Sequence, residues 1–327
     1  MRQLEVVVAG LRNLTPTTRE LLLVSADGGA LPSYAPGAHI LVTIGADQDA
    51  HERREYSLIG GAPEADDPDT TYRIAVQRKA ESRGASQFLH ERVGIGSRLV
   101  ISPPENEFPL NRHPAGRLLI AGGIGIAPIY PMTRALLRQG TPFALHCFGE
   151  EPDRLPYRAE IERMMGGRAG FHYRREDSGA LALEPLVASL RYPAEIYVCG
   201  PRSLIDATIA VGLDYGLSRQ QIRHQYFDAA PPVVNTNTPF EVELRRSGLT
   251  VQVPPDASIL ETLITKGYHA KFYCGRGECG FCPLPVIAAD GVIEHRDSYL
   301  SAQEKASGEQ LCVCVSRLRG RRLVLDA

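Results

Sequence analysis

CGRGECGFC, residues 274–282, decides how the last third of this chain folds. Its cysteines, Cys274, Cys279 and Cys282, stand in a C-x4-C-x2-C spacing, and Cys312 and Cys314 follow in the run LCVCVSR. Three close thiolates with one distant partner form the ligand set of a binuclear iron–sulfur cluster. The loop must wrap a small volume, and Gly275, Gly277 and Gly280 let backbone N–H groups approach the cluster sulfides. A structural zinc site is the competing reading. It favours C-x2-C pairs in both halves, and the second half here holds C-x-C.

Either distant cysteine can complete the set by spacing. Cys312 leaves 29 residues after Cys282 and Cys314 leaves 31, and the shorter gap is the commoner one in plant-type sites. Cys314 is favoured because it directly precedes VSR and the strand-like RLVLDA. Cys312 then reads as a small buried apolar residue. The surface stretch between Pro283 and Gln310 takes up the two extra residues.

Outward from this loop, the texture of the chain changes twice. Around it, residues 240–327 open with the strand pair FEVELRR and LTVQVPP. A short helix follows near Ser258–Lys266, with Ser258 and Glu261 at capping-box spacing. AAPPVVNTNTP, residues 229–239, is uncharged and rich in Pro and Asn, and reads as a linker. From about 112 to 228, the apolar runs RLLIAGG, FALHCFG and EIYVCGP alternate with helical stretches at Pro128–Gln139 and Arg202–Tyr215. That alternation predicts a parallel sheet with crossover helices. Residues 1–111 carry short alternating runs (LEVVVAGL, HILVTI, EYSLI, YRIAVQ, SRLVIS) between Gly, Pro and Asp turns. These predict an antiparallel barrel or sandwich.

Three further motifs carry chemistry. RREYSL places Arg54 and Tyr56 on one face of a strand, with Ser57 next. Such a guanidinium pairs bidentately with phosphate, the phenol packs on a flat ring such as isoalloxazine, and the hydroxyl suits its central-ring nitrogen. RGAS (Arg83, Gly84, Ser86) precedes a helix-like SQFLHERV and suits phosphate, although an ordinary helix cap reads the same way. AGGIGIAP, residues 121–128, joins a strand to a helix, and Gly122, Gly123 and Gly125 permit the tight turn and the approach of a pyrophosphate. Cys199, Gly200 and Pro201 end a later strand at the carboxyl edge of the sheet, where ligands bind in such folds.

Bulk properties restrict the alternatives. The 327 residues have a formal net charge of −2, with 43% hydrophobic and 23% charged residues. No basic surplus points to nucleic acid or a membrane surface. The stretch from Leu118 to Thr133 is too short and too broken to span a bilayer, and MRQLEVVVAG lacks the features of a signal peptide. Seven cysteines, five of them after residue 273, argue for metal in a reducing compartment over a disulfide framework. A cytoplasmic protein is expected.

R-x-Y-S, a Gly/Ser turn, AGGIGIAPI, CGP, C-x4-C-x2-C, HRD and CVSR, in this order along essentially the whole chain, resemble the phthalate dioxygenase reductase family. NEFPL (106–110) and EHRDSYL (294–300) resemble family segments as well. The resemblance implies three parts: an FMN-binding antiparallel β-barrel (1–111), an NADH-binding α/β domain (112–228) and, after the linker, a β-grasp plant-type ferredoxin domain (240–327). Carried over by motif, Arg54, Tyr56, Ser57, Arg83, Gly84 and Ser86 hold FMN, and Phe227 in HQYFD matches an aromatic position near the flavin. Gly122, Gly123 and Gly125 face the nucleotide, Cys199 to Pro201 face the nicotinamide, and Cys274, Cys279, Cys282 and Cys314 hold the 2Fe–2S cluster. It implies a monomer that oxidises NADH, with no side chain acting as general acid or base. Single electrons then pass to a partner oxygenase, most readily a Rieske-type one. A haem-thiolate monooxygenase is the nearest alternative acceptor, and a flavin and iron–sulfur redox sensor is the alternative of another class.

Two departures from the family pattern stand out. Ala127 occupies a position where the family usually has Thr, so a hydroxyl near the cofactors is missing. GEEPDR follows FALHCF where the family carries Arg and Ser or Thr. Glu150 and Glu151 there favour a ribose 2′-hydroxyl and repel a 2′-phosphate, which points to NADH over NADPH.

Overall fold

The computed structural model describes residues 3–44, 52–60, 71–78, 84–111, 116–174, 183–190, 193–227, 237–272, 275, 277, 280–297 and 299–327, except the side chains of Glu52 and Ala302. It divides into two compact units, Met1–Asp228 and Ala229–Ala327.

The first unit opens with β1 (Leu4–Thr15), β2 (Thr18–Ser25), β3 (His39–Ile44), β4 (Glu52–Ser57), β5 (Thr71–Gln77), the short helix α1 (Ala85–Glu91) and β6 (Arg98–Ile101). The strands form one antiparallel sheet in the order β4-β3-β6-β1-β2-β5. An isolated bridge between Leu58 and Ile74 brings its two ends together, so the sheet rolls into a barrel. Alternation supplies the core: Val6, Val8, Leu21, Leu23, Ile40, Val42, Tyr72 and Ile74 all point inward and are buried. Strand β2 is absent from the sequence-based expectation, because Arg19 and Glu20 break its apolar pattern.

The chain then alternates. β7 (Gly116–Gly122), α2 (Ile126–Arg138), β8 (Phe143–Gly149), α3 (Arg158–Met165), β9 (Ala169–Tyr173), α4 (Glu184–Ala188), β10 (Ala194–Gly200), α5 (Arg202–Asp214) and β11 (Ile222–Tyr226) follow in turn. All sheet pairings are parallel and the strand order is β11-β10-β7-β8-β9. The chain leaves β7 toward β8 on one side and returns to β10 on the other. The switch point lies between β7 and β10, at their carboxyl ends. Barrel residues Ile59, Ala75 and Phe108 pack in one core cluster with Leu119, Ile129, Met132 and Cys199 of this sheet. That shared core explains why the two sheets form one unit.

The second unit holds β12 (Phe240–Leu244), β13 (Leu249–Val253), α6 (Ile259–Thr265), β14 (Pro283–Ala289), β15 (Val292–Glu294), α7 (Ala302–Ser307), β16 (Gln310–Cys312), β17 (Arg317–Arg319) and β18 (Arg322–Leu325). β12 pairs antiparallel with β13 and parallel with β18, in the order β13-β12-β18-β14-β16. Helix α6 lies on this sheet through Ile259, Leu260 and Leu263, the grasp arrangement expected of a ferredoxin domain. Its capping box forms: Glu261 N donates to Ser258 Oγ at 3.1 Å, and Ser258 N to Glu261 Oε2 at 2.8 Å. The expected surface stretch after Pro283 is at the surface and begins as strand β14, which pairs with β18 and β16 and has no buried residue. The expected linker 229–239 lies outside the described residues up to 236.

Among the described residues, no helix is long and apolar enough to cross a membrane. A cavity of about 560 Å³ lies against Gln3, Glu5, Ser25, Asp27 and Arg98, and shares no residue with the sequence motifs.

Candidate redox sites

Strand β4 carries the R-x-Y-S motif, with Val42, Ile40 and His39 of β3 opposite Arg54, Tyr56 and Ser57. Arg54 and Tyr56 are half-buried on the same side of the strand. Burial pushes the Tyr56 phenol up to about 12, so it stays protonated. Ser57 is 5% exposed, and its Oγ has no hydrogen-bond partner among the described residues. A buried hydroxyl in that condition is costly unless a ligand satisfies it, which fits a flavin ring at this place. Gly84 caps α1 with φ 108° and has open space where a side chain would stand. Arg83 lies outside the described residues.

At the switch point the glycines divide by role. A Cβ on Gly125 would stand 2.2 Å from the Cys199 carbonyl oxygen, and one on Gly122 would meet Pro201 at 2.6 Å and Leu204 at 2.7 Å. Gly200, with φ 157°, would bring its Cβ 2.8 Å from Gly122 Cα. These three are glycine because the loops after β7 and β10 touch backbone to backbone. Gly123 differs: its φ is 52° and open space faces it. That is the cradle a pyrophosphate needs. Cys199 pairs with Ala121 on β7 and Gln225 on β11, and is fully buried. Desolvation raises its thiol well above the ordinary range. It is an inert neutral wall.

Gln225 was missed by sequence reasoning. It is 8% exposed, its Oε1 has no partner among the described residues, and its register with Cys199 puts it on the same sheet face. The signal available in HQYFD was its spacing of two from Phe227, which is 37% exposed. At the end of β8, Glu150 pairs with Arg154 at 3.4 Å and Arg174 at 3.3 Å, while Glu151 reaches Arg154 at 3.8 Å. The acids expected to read the ribose are thus already held by arginines.

In the second unit, Gly275, Gly277 and Gly280 have φ of 65°, 74° and 74°. A Cβ on Gly277 would collide with Val315 and Asp297, and one on Gly280 with the Tyr299 ring at 2.2 Å. Glycine here lets the loop press against its own wall. That wall is braced by Asp297, whose buried carboxylate accepts from Leu300 N at 2.8 Å and from Ser316 Oγ at 3.3 Å. Cys282 and Cys314 are buried with their sulfurs 3.1 Å apart. Hydrogen bonding with Cys312, then Cys314, lowers the Cys282 thiol, and the contact with Cys282 raises that of Cys312. Three sulfurs therefore gather here, with Cys312 on β16 and Cys314 in the turn after it. Converging thiols are the donors an iron–sulfur cluster takes, so this set fits one. Cys274 and Cys279 lie outside the described residues.

Residues 242–319 match the family of 2Fe-2S iron-sulfur cluster binding domains. The toluene-4-sulfonate monooxygenase system reductase subunit TsaB1 of Comamonas testosteroni is 33% identical over 321 residues, covering 98% of both chains. The solved structure of phthalate dioxygenase reductase, described as a modular structure for electron transfer from pyridine nucleotides to [2Fe-2S], is 29% identical. It superposes with a TM-score of 0.66 over 99% of this chain and 98% of its own. Two longer proteins match over part of their length. The chain spans 49% of oxidoreductase NdmD of Pseudomonas putida, at 33% identity over 91% of this chain. It spans 42% of full-length CYP116B46 of Tepidiphilus thermophilus, at 32% identity over 99% of this chain with a TM-score of 0.78. Barrel, parallel sheet and cluster domain in this order, with full-length relatives of the same build, place the chain in the phthalate dioxygenase reductase family, the flavin and iron–sulfur reductases of oxygenase systems.

Proposed function

We propose that this chain takes electrons from NADH and delivers them singly to a Rieske-type terminal oxygenase. FMN and the 2Fe–2S cluster together supply the conversion of a two-electron donor into one-electron deliveries. The chain supplies position. Arg54, Arg83, Gly84 and Ser86 are suited to the flavin phosphate, and Tyr56, Ser57 and Phe227 to its ring. Gly123 cradles the pyrophosphate, Gly122, Gly125 and Gly200 let the two loops close around it, and Cys199 and Pro201 wall the nicotinamide. Cys274, Cys279, Cys282 and Cys314 hold the cluster. In this reading residues 1–111, 112–228 and 240–327 are the three working parts, joined by 229–239. The chain acts as a monomer in the reducing cytoplasm, where its thiols stay available.

The observation that carries the reading is the convergence of the Cys282 and Cys314 sulfurs at 3.1 Å, under a loop whose glycines are packed against Asp297 and Tyr299. Cys314 is preferred over Cys312 because it stands in the turn, while Cys312 is a strand residue with no exposed surface. NADH is preferred over NADPH because Glu150 and Glu151 follow β8 directly and suit a ribose 2′-hydroxyl, a reading that requires them to turn from Arg154 and Arg174 toward the ribose. A haem enzyme as acceptor is the second reading, supported by the 0.78 TM-score against CYP116B46.

Anaerobic titration with NADH tests the proposal. The parent should contain flavin, with iron and sulfide in equal amounts, and NADH should bleach the flavin and reduce the cluster. Cys314→Ser should lose the cluster absorbance and keep flavin bleaching, and Cys312→Ser should keep both. The reverse outcome for the two serines transfers the ligand role to Cys312, and a parent without flavin or iron removes the proposal.

A further inference from the structure

Six side chains outside every motif close into one circuit within the first unit. The barrel contributes Arg12 from β1, Glu20 from β2 and Arg73 from β5. The parallel-sheet part contributes Tyr130 from α2, and Tyr157 and Glu160 at the start of α3. Tyr157 Oη donates to Glu20 Oε2 at 2.6 Å, and Tyr130 Oη to Glu160 Oε2 at 2.7 Å. Arg12 Nη2 donates to both acids, at 3.2 Å to Glu20 and 2.6 Å to Glu160. Each carboxylate is thus held from both sides of the seam.

Arg73 sits at the centre, 1% exposed. Its guanidinium lies 3.3 Å from Glu20 and 3.9 Å from Glu160, without a well-aligned hydrogen bond to either. It also lies 5.8 Å from the Tyr130 ring centroid and 5.9 Å from that of Tyr157. Two cations and two anions balance. Five of the six are buried or nearly so, while Arg12 caps the set from a side chain 45% exposed. Such a set is a poor source of net stability, since desolvation offsets the attraction, yet it tolerates little displacement. Tyr157 carries a second mark of constraint. It is the one non-glycine among the described residues with positive φ, 61°, a conformation most side chains avoid.

The elements joined are the ones that carry the two cofactor turns. Gly84 caps α1, the next element after β5, and α2 starts directly after Gly125. We propose that this circuit fixes the angle between the flavin-bearing barrel and the nicotinamide-bearing sheet, with Tyr130 and Tyr157 as positioning residues for flavin reduction by NADH. The inference rests on the flavin and NADH reading above. A hydride must travel between two flat rings in contact, so a small rotation at the seam slows transfer while leaving each ring's own binding surface intact.

The test uses the full chain loaded with FMN, with Tyr130→Phe and Tyr157→Phe singly and together, so that each change deletes one hydroxyl and keeps its ring. Stopped-flow bleaching of the flavin under anaerobic NADH gives a limiting rate and a half-saturating concentration. The double variant should lose at least tenfold in limiting rate while half-saturation stays within twofold and flavin content is unchanged. A limiting rate within twofold of the parent, even with a lower melting temperature, makes the circuit merely structural and overturns the proposal. Should the double variant fail to hold flavin, Glu160→Gln, at a side chain 13% exposed, is read by the same criterion. A parent that NADH does not bleach sinks the underlying function instead.

Discussion

Ser57→Ala should stabilise the flavin-free protein and weaken the flavin-bound one. In the structure, the Ser57 hydroxyl is buried and without a partner among the described residues. A buried polar group left unpaired costs about 1–3 kcal/mol. Alanine keeps the Cβ and deletes only the oxygen, so part of that gain is returned as a small void. A net gain of about 1 kcal/mol remains. For a unit the size of residues 1–228, this raises the melting temperature by roughly 2–4 °C. In the proposed flavin site the same hydroxyl makes a hydrogen bond with a net value of about 0.5–1.5 kcal/mol. Added to the gain of about 1 kcal/mol in the stripped protein, its loss should weaken FMN binding by about 1.5–2.5 kcal/mol, roughly twelve- to seventyfold. The two signs are opposite, which ordinary packing damage does not produce. Thermal melts of stripped and FMN-loaded protein, with a fluorescence titration of FMN, measure both. A stripped variant that melts below the parent, or an unchanged FMN affinity, refutes the reasoning.

Gly125→Ala and Gly123→Ala should fail in different ways. The first drives a Cβ to 2.2 Å from a backbone carbonyl and should cost about 3 kcal/mol or more in stability, seen as a lower denaturation midpoint. The second faces open space, costs about 1 kcal/mol for its positive φ, and should mainly raise the half-saturating NADH concentration. Equal losses of stability would contradict the division. His146 donates to or accepts from His172 at 3.0 Å, and burial, then the charge of His172, push its pKa down to about 4. An unfolded histidine titrates near about 6.5, so between these values the unfolded chain binds more protons. Stability should therefore fall as pH drops from about 6.5 toward about 4. Melting temperatures of His146→Phe should decline less than the parent's over that window; parallel curves would remove His146 from the account.

The parts legible in the sequence are those whose cause is local. The capping box of Ser258 and Glu261 needs only three residues of spacing, and the alternation of Val6 and Val8 or Ile40 and Val42 needs only a pleat. The illegible parts depend on partners far along the chain. Glu20 disguises β2 as a polar segment because its charge is met by Arg73, Tyr157 and Arg12. Gly122 and Gly125 were read as making room for a ligand, and the structure adds that they make room first for Cys199, Pro201 and Leu204. Pro283 and Pro285 hid β14, since proline argues against an inner strand. Both nevertheless pair with β16, opposite Cys312 and Gln310.

Cysteine shows most directly why composition alone cannot assign a site here. Cys147, Cys199, Cys282 and Cys312 are all nearly or wholly without exposed surface, so burial does not separate ligand from bystander. Neighbours do. Cys147 and Cys199 lie on strands flanking Ala121, among apolar side chains; desolvation drives Cys147 up to about 12, and it raises Cys199 well above the ordinary range against a hydrogen bond with the Gly200 backbone. Cys282 is desolvated too, yet its hydrogen bonding with Cys312 and Cys314 outweighs this and lowers its thiol. An apolar pocket stores a thiol; a pocket of thiols, opposed to a glycine loop, prepares one for iron. The same fold thus keeps one cysteine inert at the carboxyl edge of the parallel sheet and gathers others sulfur to sulfur, and the difference lies in which side chains the two sheets bring within reach.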